Sequence, residues 1–262
     1  MLSDGDLDAC AELAEELARR ATRRIVAGRP GADQISTKTS PADWVTETDL
    51  AVERLGREAL DERFPGHRVV GEEYGASGPD DAPATWWIDP VDGTTNFVHA
   101  LPWSSFSLCV ADESGPAVAV VADPYRREVL SAIRGRGARL DGRPTHCSPA
   151  ESLTGGIVLT EMVMQSLWPG QADVMQALAE RGCVTRLMGS NALSLASVAA
   201  GRCVATVIGG FNTGDCLGAM LIARESGAHV YARSDPPTDG EPLVCAAPGV
   251  AGELLPLLPG TL

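Results

Sequence analysis

Between Trp86 and Phe97 the chain reads Trp-Trp-Ile-Asp-Pro-Val-Asp-Gly-Thr-Thr-Asn-Phe, crowding two carboxylates, a proline and two hydroxyls into the seven positions from Asp89 to Thr95. Pro90 lacks a backbone N–H and fixes its own φ. The apolar run Trp86-Trp87-Ile88 should therefore end as a strand at or near Asp89, leaving both acids on a turn. Hard divalent cations prefer carboxylate and carbonyl oxygens, so Asp89, Asp92 and the Val91 carbonyl between them could converge on a pair of such ions. Gly93 lets the backbone approach an anion, and Thr94 and Thr95 suit the cap of a helical turn whose free N–H groups would face a phosphate. The chemistry would be that of a metal-assisted phosphate site. The plainer reading of the same residues is an Asp-rich turn.

Acids of this kind recur elsewhere. Glu72 and Glu73 follow the short apolar run Val69-Val70-Gly71, and Asp215 opens the apolar stretch Cys216 to Glu225. Upstream lie Lys38, Asp43, Thr46 and Asp49. Each has an ordinary alternative: a solvated loop lysine for Lys38, a turn residue for Glu73, a helix cap for Asp215. A carboxylate at Asp49 would be favoured in the first turn of a helix by the macrodipole alone. Capping would not explain why Glu72, Asp89, Asp92 and Asp215 should all be acidic across so much of the chain.

These residues need elements to hold them. Leu7, Cys10, Ala14, Leu17, Ala21 and Ile25 form one stripe at helical spacing, which predicts an amphipathic helix over residues 7–27. Residues 28–42, rich in Gly, Pro, Ser and Thr, read as a loop or irregular hairpin bearing Lys38. A second helix, capped by Thr46 or Thr48, should end at Pro65-Gly66. Three apolar or alternating runs between Ser105 and Leu140 predict an antiparallel meander, and the glycine-rich segment after it reads as sheet turns rather than a phosphate loop. After residue 146 strands and helices alternate, which suggests an α/β lobe. The expected organisation is an N-terminal α+β lobe, residues 1–145, carrying most candidate ligands, and a C-terminal α/β lobe, residues 146–262, carrying Asp215.

Composition narrows the function classes. With 21 Lys+Arg against 35 Asp+Glu, a formal net charge of −14, a nucleic-acid polymer or an anionic membrane is disfavoured as the main partner. No apolar stretch approaches the roughly 20 residues of a membrane helix. Seven cysteines without metal-like spacing are read as reduced thiols, and the acidic start of the chain is unlike a secretory leader, so a cytoplasmic location is expected.

Taken in order, the Lys38 to Asp49 segment, Gly71-Glu72-Glu73, Asp89-Pro-Val-Asp-Gly-Thr-Thr-Asn-Phe97 and Asp215 resemble the inositol monophosphatase family of magnesium-dependent, lithium-sensitive phosphomonoesterases. The resemblance covers nearly the whole chain and implies an alternating αβαβα layered sandwich. It implies two or three Mg2+: Glu72, Asp89 and the Val91 carbonyl for one, Asp89, Asp92 and Asp215 for a second. Thr94, oriented by Asp49, would position the attacking water, and the amides of Gly93 and Thr94 would cradle the phosphate. Lys38 and Asp43 would support this charge arrangement, lithium would inhibit at the second-metal site, and a homodimer is implied. Related phosphatases act on histidinol phosphate, nucleotides and sugar bisphosphates, and a catalytically silent binding protein on the same fold is the alternative of another class.

The chain departs from the family near the late aspartate. Seven residues before Asp215, where inositol-specific relatives tend to carry a glutamate, stands Ile208, and Gly214 replaces the usual Trp. A substrate with a bulkier or more apolar alcohol half is therefore expected, a nucleotide or sugar phosphate rather than inositol phosphate. Its contacts would be Asp92, Gly189, Ser190, Asn191, Ile208, Phe211 and Asn212.

Overall fold

The computed structural model describes residues 1–28, 35–37, 44–163 and 166–260. Ser3 opens helix α1 (Asp4–Ala27) through a reciprocal pair of bonds with Asp6, and the expected stripe from Leu7 to Ile25 is its buried face. A hairpin of β1 (Ile35–Thr37) and β2 (Trp44–Thr46) leads into α2 (Glu47–Arg63), capped by Thr46. Lys38 and Asp43 fall between those strands, outside the described residues. Then come β3 (Arg68–Gly71), β4 (Gly75–Ser77), β5 (Thr85–Asp92) and the short α3 (Thr94–Val98). The predicted meander is β6 (Ser105–Asp112), β7 (Gly115–Asp123) and β8 (Glu128–Ile133), extended by β9 (Ala138–Leu140) and β10 (Arg143–Pro144). The remainder alternates: β11 (Ile157–Thr160), α4 (Gln171–Glu180), β12 (Val184–Leu187), α5 (Asn191–Ala199), β13 (Ala205–Ile208), α6 (Thr213–Glu225), β14 (His229–Tyr231), β15 (Leu243–Ala246) and α7 (Ala251–Leu254).

The strands build an eight-stranded sheet, ordered β10-β9-β8-β7-β6-β5-β3-β4, and a five-stranded sheet, ordered β12-β11-β13-β15-β14. Helices α1 and α2 cover one face of the larger sheet, packing Leu13, Leu17 and Val52 with Trp86, Leu108 and Val120. Helices α5 and α6 lie between the sheets, where Leu193, Leu195 and Met220 share one core with Cys109 and Val121 on one side and Leu159 and Cys245 on the other. Because two sheets enclose this layer, Ala192 to Ala199 and Cys216 to Ala223 are buried without interruption, as apolar helices without a polar face should be. On the outer face of the smaller sheet Leu178 and Leu254 pack with Val158 and Val207. Helix, sheet, helix, sheet and helix thus follow in the layered order expected.

One local expectation is corrected. Strand β5 does not stop at Asp89 but runs through Pro90 to Asp92. Its pairing with β6 passes from Asp89 opposite Ser107 to Asp92 opposite Ser105, so three steps on one strand face two on the other. This is a bulge, one of the few places where a strand tolerates a proline. Residues three apart on a regular strand point to opposite faces; the extra residue cancels that alternation and turns Asp89 and Asp92 toward one side.

Candidate active site

Three acids meet where the layers join. Asp89 and Asp92 come from the bulge and Asp215 from the first turn of α6, with carboxylate oxygens within 4.8 Å of one another. Asp215 is not the helix cap. Asn212 takes that role, its side chain accepting the Gly214 N–H at 2.9 Å, which leaves the Asp215 carboxylate for Asn191 Nδ2 at 3.2 Å. Glu72 is brought in by register, because parallel pairing of Gly71 with Ile88 sets the next residue beside Asp89. The Glu72 N–H donates to the Ile88 carbonyl at 3.2 Å, and its side chain hydrogen-bonds Asp89. The Glu72 turn is held from below by Glu53 of α2, fully buried, which accepts the N–H groups of Glu73 at 2.7 Å and Tyr74 at 3.1 Å.

Such a cluster is electrostatically costly by itself. Asp89 and Asp92 are 2% and 6% exposed, and like charges this close repel by roughly 3 kcal/mol per pair at an effective dielectric near 20. Burial first, then the neighbouring Glu72 and Asp215, hold Asp89 well above the usual carboxylate range, and burial with Asp92 and Glu72 does the same to Asp215. Burial also lifts Asp92 to about 6, although Ser190 Oγ and the N–H groups of Asn191 at 3.2 Å and Ala192 at 2.8 Å donate to it. Those donors are neutral and sit at the N-terminus of α5, where a carboxylate is favoured but not neutralised. Oxygen donors in this number, buried and mutually repelling, fit a hard divalent cation.

Around the acids stand the groups of the glycine-threonine turn. Gly93 caps α3 in the left-handed region at φ 91°, so neither threonine is the cap. A Cβ on Gly93 would meet the Gly189 carbonyl at 2.7 Å and the Trp103 carbonyl at 3.2 Å. Gly93→Ala is therefore expected to cost about 1–3 kcal/mol of stability through strain and to lower kcat/KM at least tenfold, read by thermal unfolding and steady-state kinetics. Thr94 Oγ lies 2.9 Å from the Val91 carbonyl and 3.3 Å from Asp49 Oδ1. Its single hydrogen can serve only one of them at a time. Asp49, wholly buried, also completes the capping box of α2 with Thr46, and burial pushes its carboxyl up to about 6.

A cleft of about 490 Å³ opens over this assembly, lined on its polar side by Glu72, Asp92, Thr94 and Ser190 and on its apolar side by Trp44, Met162, Leu187 and Met188. Gly189, Ser190 and Asn191 line it as well. Ile208, Phe211 and Asn212, expected beside the substrate, are not among its lining residues. Ile208 is 1% exposed on the central part of the smaller sheet and borders a separate cleft of about 410 Å³ with Trp168 and Arg233. Phe211, 2% exposed, belongs to the inter-sheet core, and its backbone is tied to the 238–241 turn by bonds with Gly240 and Glu241. Asn212 is spent on capping α6. Sequence reasoning also passed over Glu161, which lines the cleft at 5% exposure, and Asn96, whose Nδ2 donates to the carbonyls of Trp103 at 2.8 Å and Met188 at 2.6 Å. Asn96 stood inside the glycine-threonine motif and could have been suspected; Glu161 had no local signal.

The layered fold carries a cluster of acids suited to a cation, and comparison with known sequences gives this architecture its class. The profile of the Inositol monophosphatase family matches residues 6–258. An inositol-1-monophosphatase of Mycobacterium bovis is 39% identical over 242 residues, covering 87% of this chain and 82% of its own. A Nus factor SuhB of Pasteurella multocida is 35% identical over 254 residues, covering 93% of each chain. Among solved structures, Mycobacterium tuberculosis SuhB superposes with a TM-score of 0.79 at 31% identity, covering 96% of both chains. This chain belongs to the inositol monophosphatase family, whose members are phosphoric monoester hydrolases. Among the described residues no helix is long and apolar enough to cross a membrane.

Proposed function

We propose that this protein is a magnesium-dependent phosphatase of a small phosphomonoester, with a nucleotide or sugar phosphate favoured over inositol phosphate. The observation that carries the metal dependence is the trio of the buried Asp89 and Asp92 with the half-buried Asp215, their oxygens within 4.8 Å. Divalent cations held by Glu72, Asp89, the Val91 carbonyl, Asp92 and Asp215 would supply the positive charge that phosphoryl transfer to water requires. The N–H groups of Gly93 and Thr94, at the start of α3, would donate to the phosphate. Thr94, held between the Val91 carbonyl and Asp49, orients the attacking water. No covalent phosphoenzyme is needed.

The apolar wall of Trp44, Met162, Leu187 and Met188 supports a substrate with a bulkier, less hydroxylated alcohol half. A polyol pressed against it would bury hydroxyls without partners at about 1–3 kcal/mol each. The inositol ester is the second reading, favoured by the 39% identical relative named for that substrate. Release of inorganic phosphate from an aryl phosphate, with Mg2+ and with chelator, tests the reaction. The ratio of kcat/KM for nucleoside monophosphates to that for inositol 1-phosphate tests the substrate: a value above one is expected, and a clear preference for the inositol ester would sink this choice.

A further inference from the structure

Glu161 follows β11 at the rim of the cleft, yet its carboxylate is turned away from solvent, 5% exposed. A carboxyl buried to that degree must be hydrogen-bonded, and this one is. Oε1 accepts from Ser194 Oγ at 2.6 Å, Oε2 from the Gly189 N–H at 2.6 Å, and both approach the Met188 N–H, at 3.4 and 3.2 Å. With its acceptor positions so occupied, little of the carboxylate is left for a substrate hydroxyl. What it holds instead is the backbone segment 188–192, whose opposite edge is held by Asn96 of α3 through the Met188 carbonyl. The same segment supplies every α5-side donor to the acids: Ser190 Oγ, the Asn191 N–H and the Ala192 N–H to Asp92, and Asn191 Nδ2 to Asp215. Gly189, its second residue, has φ 81°, and a Cβ there would sit 3.0 Å from Asn96 Nδ2, so the segment is a fitted strap between two anchors.

We propose that Glu161 is a positioning residue, acting through the strap 188–192 to fix the orientation of Asp92 and Asp215 for cation binding. The proposal rests on the metal-dependent reading above. Partners of this kind orient the groups that touch a cation and alter its affinity more than the chemistry that follows.

The test uses the intact chain and two independent readouts. In the metal-free protein, amide hydrogen exchange should find the Gly189 N–H as protected as amides of β11, and Glu161→Gln, which turns one acceptor into a donor, should speed its exchange at least roughly tenfold. Calorimetry with Mg2+ alone should show affinity falling by about 10–100-fold in the same variant, while kcat at saturating Mg2+ stays within threefold and Ser194→Ala, which spares both strap amides, changes affinity far less. An unprotected Gly189 amide in the unaltered protein overturns the proposal even if Glu161→Gln cannot fold. Unchanged Mg2+ affinity in Glu161→Gln, or a loss confined to kcat, also overturns it. If the unaltered protein binds no Mg2+, the metal-dependent reading has failed, which the exchange data, independent of metal, distinguish from failure of the strap.

Discussion

Asp89→Asn and Asp215→Asn are each expected to lower Mg2+-supported phosphate release by at least about 100-fold, and to do so without weakening the fold. Each change replaces a carboxylate by an amide of nearly the same shape, in a cluster whose oxygens lie within 4.8 Å of one another. The lost charge is one the cation needs, so binding suffers. In the cation-free protein the same change removes a carboxyl that burial first, and the neighbouring acids second, hold above the usual carboxylate range. Thermal unfolding in chelator should therefore give each variant a Tm equal to or above that of the unaltered protein. Added Mg2+ should raise the Tm of the unaltered protein by mass action and that of the variants little. Full turnover by either variant in excess chelator would refute the metal-assisted mechanism. A lower Tm in chelator would show that these acids are structural.

Thr94→Ala should separate binding from chemistry. The hydroxyl, 2.9 Å from the Val91 carbonyl and 3.3 Å from Asp49, is placed to orient water rather than to hold a cation. Losing it should leave Mg2+ affinity within a few-fold and lower kcat by about 10²-fold or more, because an interaction made in the transition state is removed. Calorimetry and steady-state kinetics on the same preparation decide the matter. If affinity collapses while turnover at saturation is normal, Thr94 serves the bulge and not the reaction.

Much of this architecture was legible from local pattern. The stripe from Leu7 to Ile25, the Thr46 cap and the antiparallel meander that begins at Ser105 fall where periodicity and turn residues put them. The β5 boundary was misread because a proline was given its usual meaning as a strand end; a bulge is decided by the partner strand, here β6, which the local string does not contain. The burial of Ile208 and Phe211 was likewise beyond the local string, since the backbone bonds of Phe211 are made to Gly240 and Glu241, nearly thirty positions further on.

The sequence by itself determined which residue types could do this chemistry, since Asp89, Asp92 and the Gly93-Thr94 pair are contiguous and their roles follow from oxygen donors, backbone freedom and a hydroxyl. Through its resemblance to a family it also implied the layered order, and the apolar stretch that became α6 is of the kind that must be buried on all sides. Only the tertiary structure decided that Asp215, more than a hundred positions further on, meets Asp89, that parallel register seats Glu72 beside it, and that Glu161 and Asn96 hold the strap beneath Asp92. The physical reason is range: propensity and periodicity act over a few residues, whereas the approach of like charges and the satisfaction of a buried carboxylate depend on segments that only the packed layers bring together.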